Sequence, residues 1–264
     1  MISRIKRHRA FELNLHIKDE KFLATPRAAQ RQWLLNRVLK ETHDELLHLD
    51  AVAPSMIRGN DELIELDRAH GVLDDNDIME DWQIPVMQAM AATVCTEGND
   101  ILEVGMGRGI ASSFIQNLNP ASHTLIECNH DIATNGFEKW VADYPERKIR
   151  MLESLWQDCI DDLPTYDGIL FHTYPLSDEE FVNTVVKDVT FAAHFLEPAS
   201  QHLKSGGALT YLTNEADSLS RAHQRALFTH FSHFTLSLVK NLPIKQDTRD
   251  AMWFDQMVII KAVK

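Results

Sequence analysis

A glycine-rich segment of the chain has the pattern best suited to holding a ligand. The run Ile101-Leu-Glu-Val-Gly-Met-Gly-Arg-Gly109 predicts a buried strand that enters a turn, and a helix is expected to begin at Ile110. Glycines let the backbone adopt a positive φ and approach a ligand closely. Because ligands of open parallel sheets bind just beyond the carboxyl ends of the strands, we expect Gly105, Met106 and Gly107 to border a binding site.

The spacing of the glycines narrows the kind of ligand. It is G-x-G-x-G rather than the G-x-G-x-x-G of dinucleotide-binding turns, because Ile110 stands where that pattern has its third glycine. Glu103, one residue before the end of the strand, is typical of the turn that binds S-adenosylmethionine. Glu127 lies 22 positions after Gly105, close to the spacing of about 20 residues at which a carboxylate binds ribose hydroxyls. A solvated glutamate at a strand end is the alternative for Glu127, and the glycine turn in register favours the ligand role.

The elements around this turn alternate between strand and helix. Short apolar runs predict seven strands, at 101–104, 123–127, 148–152, 166–171, 208–213, 234–239 and 256–262. Helices are predicted at 110–117, 131–143, 156–161, 178–203 with an interruption at Pro198, and 216–230. Alternation predicts parallel strands joined by crossovers, and the last two strands, joined by a loop alone, predict an antiparallel hairpin. This is the α/β, Rossmann-like pattern of the class I methyltransferase fold, with seven mostly parallel strands.

The first 75 residues lie outside the strand pattern. Segments 27–49 and 60–73 have the apolar spacing of helices. We therefore predict a helical extension over residues 1–75, followed by a cofactor-binding domain over residues 76–264. Such an extension is expected to act as a lid that excludes water from the site.

Composition restricts the partners of the chain. The net charge of −13 disfavours nucleic acid and favours a small-molecule partner. No apolar run approaches the roughly 20 residues of a membrane helix, and the basic N-terminus lacks the apolar core of a secretory signal. Three separated cysteines and scattered histidines predict neither a disulfide framework nor a metal site, and a reducing cytoplasm fits them. The oligomeric state is left open.

Residues 76–264 resemble the guanidinoacetate N-methyltransferases, class I enzymes with a helical N-terminal lid. The matching words, in chain order, are Met79-Glu-Asp-Trp-Gln-Ile-Pro-Val-Met87, Ile101-Leu-Glu-Val-Gly105, Ile126-Glu-Cys-Asn129, Leu155-Trp156, Thr173-Tyr-Pro-Leu-Ser177, Leu209-Thr-Tyr211 and Gln256-Met257. The resemblance implies S-adenosyl-L-methionine as the cofactor.

The same resemblance implies a role for individual residues. Those assigned to the cofactor are Met79, Glu103, Gly105, Met106, Gly107, Glu127, Cys128, Leu155 and Trp156. Gly105 would face the methionine part, with Met79 at its border, while Glu127 would bind the ribose. Leu155 and Trp156 would contact the adenine. A position in the core is the alternative for Met79 and for Trp156.

Two departures from the family bear on the acceptor. The guanidinoacetate enzymes grip the substrate guanidinium with a Glu two positions before the Pro of the lid-side motif and an Asp just before Thr-Tyr-Pro-Leu. This chain has Gln83 and His172 at those positions. A buried guanidinium without a paired carboxylate carries a large desolvation cost. The resemblance therefore implies the fold and the cofactor, and the departures argue against guanidinoacetate as the substrate.

The residues around the fourth strand's end are expected to do the chemistry. His172 is predicted to act as a base or to orient the nucleophile, since histidine titrates near neutrality; a structural histidine is the alternative. Tyr174 is expected to place its ring or hydroxyl against the sulfonium. Gln83 and Thr173 are the predicted substrate contacts.

Three functions fit these residues. The first is N-methyl transfer to a small amine or amino-acid-like acceptor. The second is intramolecular cyclisation of S-adenosylmethionine to azetidine-2-carboxylate with release of methylthioadenosine, which needs an enclosed cavity and a deprotonated amine but no second substrate. The third is a non-catalytic S-adenosylmethionine-binding protein, against which His172 and Tyr174 argue.

Overall fold

A computed structural model describes residues 68–177, 180, 184, 188, 190–213, 215, 219–244 and 256–264. The helix expected at 27–49 lies outside the described residues, as does 60–67 of the second expected helix, whose residues 68–70 form a turn. The compact unit that carries the sheet comprises Asp67–Tyr174, Thr190–Leu242 and Gln256–Lys264. This unit includes residues 68–75, which the sequence pattern assigned to the extension. The lid role of the extension stays a prediction.

Seven strands form one sheet at the centre of this unit, in the order β3-β2-β1-β4-β5-β7-β6. The strands are β1 (Asp100–Val104), β2 (Ser122–Glu127), β3 (Ile149–Glu153), β4 (Tyr166–Phe171), β5 (Leu203–Thr213), β6 (His233–Lys240) and β7 (Gln256–Val263). Strands β1 to β5 run parallel to one another, and β7 runs antiparallel to both β5 and β6. This arrangement confirms the predicted class I methyltransferase fold and its terminal antiparallel hairpin.

Helices connect the parallel strands. In the described part of the chain, the α-helices are α1 (Asp75–Ile78), α2 (Ile84–Val94), α3 (Ile110–Asn117), α4 (Phe137–Val141), α5 (Trp156–Cys159), α6 (Leu196–His202) and α7 (Arg221–His230). A π-helical turn, Ile132–Gly136, precedes α4, and 3₁₀ turns lie at Asp81–Gln83, Ile160–Asp162 and Phe191–Phe195. The expected interruption at Pro198 is wrong, because this proline lies in the first turn of α6, where an amide N–H has no partner within the helix.

The core forms where helices cover the sheet. Strand β1 is buried over four of its five residues, Ile101–Val104, because parallel strands are packed on both faces. The main cluster of buried side chains includes Leu102, Ile169, Leu209 and Ile260, which come from β1, β4, β5 and β7. None of the described helices has the length and apolar character needed to cross a membrane.

Candidate cofactor and acceptor site

The glycine turn after β1 is packed directly onto the end of β4. Gly105 has φ 90° and Gly107 has φ 50°, in the left-handed region that favours glycine. A Cβ atom on Gly105 would lie 2.1 Å from the carbonyl oxygen of His172. The amide of Gly105 donates to the carbonyl of Ile126 at 2.9 Å, and the amide of His172 donates to that of Val104 at 3.0 Å. The turn therefore joins the carboxyl ends of β1, β2 and β4.

The carboxylate of Glu127 lies under this turn. Its Oε2 atom accepts hydrogen bonds from the amides of Met106 at 3.0 Å and Gly107 at 3.1 Å, and its Oε1 atom accepts one from Asn129 at 2.9 Å. A carboxylate offers about four lone-pair positions, so one position on Oε1 remains for a further donor. Glu127 is thus both a support of the turn and a group that can accept a ribose hydroxyl.

Asn129 belongs to the candidate site although the sequence pattern did not predict a role for it. Its Nδ2 donates to the carbonyls of Arg68 and Gly71, each at 2.8 Å, and its Oδ1 accepts from the amide of Ile132 at 3.1 Å. The side chain is buried with its hydrogen-bonding capacity largely used. Asn129 therefore anchors the turn at 68–71 to the end of β2. Its role could have been predicted from its position two residues after Glu127, within the segment Ile126-Glu-Cys-Asn129 that resembles the family.

The sequence pattern also predicted no role for Arg108, because it lies between Gly107 and Gly109, where the glycine pattern specifies no residue type. Its Nη1 donates to the carbonyl of Met79 at 2.8 Å and to Oδ1 of Asp81 at 2.9 Å. Its Nη2 lies 3.7 Å from Oδ2 of Asp75. The guanidinium thereby ties α1 and the following 3₁₀ turn to the glycine turn. The buried Met79, which the resemblance set at the cofactor's border, lies within this tied segment.

The predicted acceptor residues Gln83, His172 and Tyr174 are brought together. Gln83 is buried, and its Nε2 donates to the hydroxyl of Tyr174 at 3.2 Å. The rings of His172 and Tyr174 are 5.9 Å apart, edge to face. The guanidinium carbon of Arg68 lies 4.9 Å from the centre of the Tyr174 ring. An arginine of the chain itself therefore lies at the predicted acceptor position, and no sequence pattern predicted it there.

The protonation state of His172 differs from the expectation. Burial lowers the pKa of His172 to about 4, because an imidazolium loses solvation when it is enclosed. The expectation that His172 titrates near neutrality is therefore wrong, and the ring is neutral at pH 7. A base with so low a pKa is weak, so the lowered pKa favours the second predicted role, that of a hydrogen-bond partner orienting the nucleophile.

Glu103 has other contacts than the predicted cofactor. It is completely buried, and its Oε2 lies 3.0 Å from Nε2 of His123, although the two groups do not form a well-aligned hydrogen bond. Nδ1 of His123 lies 3.0 Å from Nε2 of Gln116 in α3. Glu103 pairs with Leu125 in the sheet, so His123, two residues earlier, lies diagonally on the same face. Glu103 therefore belongs to a buried polar network, and its contact with the cofactor stays a prediction.

The remaining predicted residues lie around the turn and the end of β3. Thr173 packs its methyl group towards Gly105. Leu155, just before α5, is exposed, and Cys128 is partly buried. Trp156 contacts Phe171 and Phe195, with ring centres 6.4 and 4.9 Å apart. These contacts fit the core alternative for Trp156, and its contact with adenine stays a prediction, as do the ligand roles of Thr173, Leu155 and Cys128.

The fold and the glycine turn define an S-adenosylmethionine-dependent transferase of the class I methyltransferase type. Residues 61–246 match the family model described as Guanidinoacetate N-methyltransferase. The chain belongs to this family, which confirms the resemblance seen in the sequence. The cofactor of such enzymes fits the residues present: Glu127 offers a carboxylate at the end of β2, and Gly107 keeps the turn free of a side chain.

Curated relatives come from a second group of enzymes. The chain is 31% identical over 127 residues to protein arginine N-methyltransferase 2 of Aspergillus oryzae, covering 46% of this chain and 29% of that protein. It is 30% identical over 108 residues to the Saccharomyces cerevisiae protein of the same name, covering 37% and 26%. The chain thus spans less than a third of the length of these relatives. Among solved structures, it is similar to precorrin-6y C5,15-methyltransferase of Geobacter metallireducens, with TM-score 0.48, 16% identity, and coverage of 67% and 85%.

Proposed function

We propose that the protein transfers a methyl group from S-adenosylmethionine to an uncharged nitrogen of a small amine or amino-acid-like acceptor. The cofactor, when bound, supplies an activated methyl group, so the protein has to align the acceptor and manage one proton. One observation carries the choice of acceptor: the groups around Tyr174 that replace the family's two acids are neutral. Gln83 is an amide bonded to the Tyr174 hydroxyl, and the pKa of His172 is about 4.

Different residues of the cofactor site would bind different parts of S-adenosylmethionine. Glu127 would accept a hydroxyl of the ribose, while Gly105 and Gly107 let the turn approach the methionine part. Met79 would border the methyl group, since Arg108 fixes its carbonyl beside the turn. Support for this arrangement comes from the family match and from the position of Glu127 at the strand end.

A guanidinium acceptor is disfavoured, although the curated relatives are named for arginine. The cation of Arg68 already lies 4.9 Å from the Tyr174 ring. A second cation at this distance would be repelled, and neither Gln83 nor neutral His172 offers the compensating charge. An uncharged nitrogen avoids both costs.

His172 would act on such a nitrogen without being charged. Its ring lone pair can accept a hydrogen bond from an acceptor N–H and so direct the nitrogen's own lone pair towards the methyl group. A group that accepts a hydrogen bond while remaining neutral suits a pKa of about 4. As the C–N bond forms, the bond between the sulfonium sulfur and the methyl group breaks and leaves adenosylhomocysteine, and the methylated ammonium then releases one proton to solvent.

The direct test is to incubate the purified full-length chain with S-adenosylmethionine, alone and with a panel of amines, amino acids and guanidinoacetate. We expect adenosylhomocysteine only when an acceptor with an uncharged nitrogen is present. Formation of methylthioadenosine from the cofactor alone would contradict methyl transfer and support cyclisation. Tight cofactor binding without turnover across the panel would support a non-catalytic role. Efficient methylation of guanidinoacetate would overturn the interpretation of Gln83 and His172.

A further inference from the structure

Both the backbone and the guanidinium of Arg68 are held in place beside the predicted acceptor residues. Its carbonyl oxygen accepts a hydrogen bond from Nδ2 of Asn129 at 2.8 Å. Its Nη1 donates to the carbonyl of Asp77 at 2.9 Å, and its guanidinium lies over the Tyr174 ring. A guanidinium has five N–H donors in a planar fork, and the contact with Asp77 uses one of them. The backbone therefore presents a pre-positioned cation where β2 and β4 end.

The charge of Arg68 has no acidic partner among the residues that the structure describes. No carboxylate of the described ranges lies within 4.0 Å of its guanidinium nitrogens. The nearby acids Asp75 and Asp81 lie against Arg108 instead. A partly buried cation without a paired anion is costly, and stacking on an aromatic ring offsets a part of that cost. An anionic ligand group would offset more of it.

We propose that Arg68 binds the carboxylate of the methyl acceptor, and this assignment rests on the proposed function. A carboxylate matches the guanidinium fork in a bidentate pair. The Arg68 guanidinium and the His172 ring both lie within 6 Å of the Tyr174 ring, so one small molecule can reach both. The acceptor class is then a small aminocarboxylate, with its carboxylate at Arg68 and its nitrogen at His172, after the ammonium group has released its proton to solvent.

Matched ligand pairs test this assignment by calorimetry. The full-length chain, saturated with adenosylhomocysteine, is titrated with a panel of α- and ω-amino acids and with the carboxamide of each. We expect aminocarboxylates to bind more tightly than their amides. Arg68→Gln should weaken the binding of the aminocarboxylates by roughly 10- to 100-fold, the effect of losing a charged hydrogen bond. Arg68→Lys should recover a part of that loss, because it keeps the charge without the fork.

A surface arginine supplies the control. Arg225 is exposed on α7, and Arg225→Gln should leave every titration unchanged. Equal binding of amino acids and amides, unchanged affinities in Arg68→Gln, or binding of no aminocarboxylate would overturn the proposal. If Arg68→Gln lost affinity for S-adenosylmethionine and not for the acceptor, Arg68 would bind the carboxylate of the cofactor. That result would also overturn the proposal. Methylation of amides with unaltered rate in Arg68→Gln would leave the proposed function standing and remove this inference alone.

Discussion

The carboxylate of Glu127 lies 3.0 Å from the amide nitrogen of Met106, so a charged hydrogen bond joins the end of β2 to the glycine turn after β1. The same oxygen also accepts from Gly107. Hydrogen bonds to an ionised acceptor are stronger than neutral ones. The residue proposed to bind the ribose therefore also shapes the turn proposed to bind the methionine part.

Glu127→Ala should lower both cofactor affinity and stability. Loss of hydrogen bonds to a charged group costs about 1.5–3 kcal/mol, so the dissociation constant for S-adenosylmethionine should rise by roughly 10- to 100-fold. Glu127→Gln keeps one acceptor oxygen, so its cofactor affinity and stability should lie between those of the wild type and of Glu127→Ala. Calorimetry measures the affinity and denaturant titration measures the free energy of unfolding. Glu138→Ala, an exposed glutamate on α4, is the control; unchanged cofactor affinity in Glu127→Ala would refute the ribose assignment.

Gly105 and Gly107 should respond differently to a side chain. A Cβ on Gly105 would meet the backbone oxygen of His172 at 2.1 Å, whereas one on Gly107 would meet the Ile78 side chain at 3.1 Å. Gly105→Ala should therefore destabilise the fold most, while Gly107→Ala should cost little more than backbone strain and should also weaken cofactor binding. Gly98→Ala is the matched control, with φ 81° and no atom within 4 Å of its Cβ, and should show backbone strain alone, about 1–2 kcal/mol. Equal stability of all three variants would contradict the packing argument.

The strand pattern was predictable where side chains alone define an element. The sequence places β4 and α3 residue for residue as the structure has them. In contrast, β5 begins at Leu203, five residues before its predicted start at 208. Its paired glycines, at 206 and 207, resemble a turn in the sequence. The sheet continues past them through a register shift, with Leu203 opposite Tyr166, and strand pairing of this kind is set by the partner rather than by the strand itself.

The arrangement of the candidate site was predictable where it depends on local spacing. Gly105 and Glu127 follow from one turn and one strand end. Arg68 and Glu103 do not, because their roles depend on side chains far along the chain or on another strand. Arg68 meets Tyr174 more than a hundred positions later, and Glu103 meets His123 through the sheet register. Only the packed fold brings these pairs into contact.

Arg108→Ala should impair turnover more than cofactor binding. Arg108 holds the carbonyl of Met79 and the carboxylate of Asp81, and so positions the segment that leads to Gln83. We expect kcat/KM for the acceptor to fall by roughly tenfold or more, the equivalent of one charged hydrogen bond. Arg108→Lys should restore a part of the activity, and Lys139→Ala, an exposed site on α4, should change nothing. Acceptor kinetics equal to wild type in Arg108→Ala would show that the contact does not position the site.

Tyr211→Phe should destabilise the protein because it breaks a buried chain of hydrogen bonds, here called the relay. The Tyr211 hydroxyl lies 2.6 Å from Nε2 of His223, and Nδ1 of that ring lies 2.9 Å from Oε2 of Glu215. Removing the hydroxyl leaves a buried ring nitrogen without its partner, a cost of about 1–3 kcal/mol. Tyr166→Phe is the control in a denaturant titration, since that buried hydroxyl lies near Thr124 without a well-formed hydrogen bond. An equal loss in both variants would show that the relay adds nothing.

Because of His172, the stability of the protein should depend on pH below 6.5. The activity near neutral pH should not depend on the titration of this residue. Burial lowers the pKa of His172 from 6.5 to about 4, so the unfolded chain binds this proton more readily than the folded one. The contribution of neutral His172 is therefore fully present above pH 6.5 and is lost as the pH falls from 6.5 to about 4. A shift of this size corresponds to about 3 kcal/mol.

The measurement is the free energy of unfolding of wild type and of His172→Gln at intervals between pH 7.5 and 4. Because carboxylates also titrate in the acid range, the difference between the two proteins isolates the histidine. We expect the wild type to lose stability relative to His172→Gln as the pH falls through this window. The turnover of the wild type should show no inflection near pH 6.5, since the ring is already neutral there. A difference curve that stays flat, or an activity profile of the wild type with an inflection near 6.5 that His172→Gln lacks, would show that His172 titrates as an exposed histidine and would restore it as a general base.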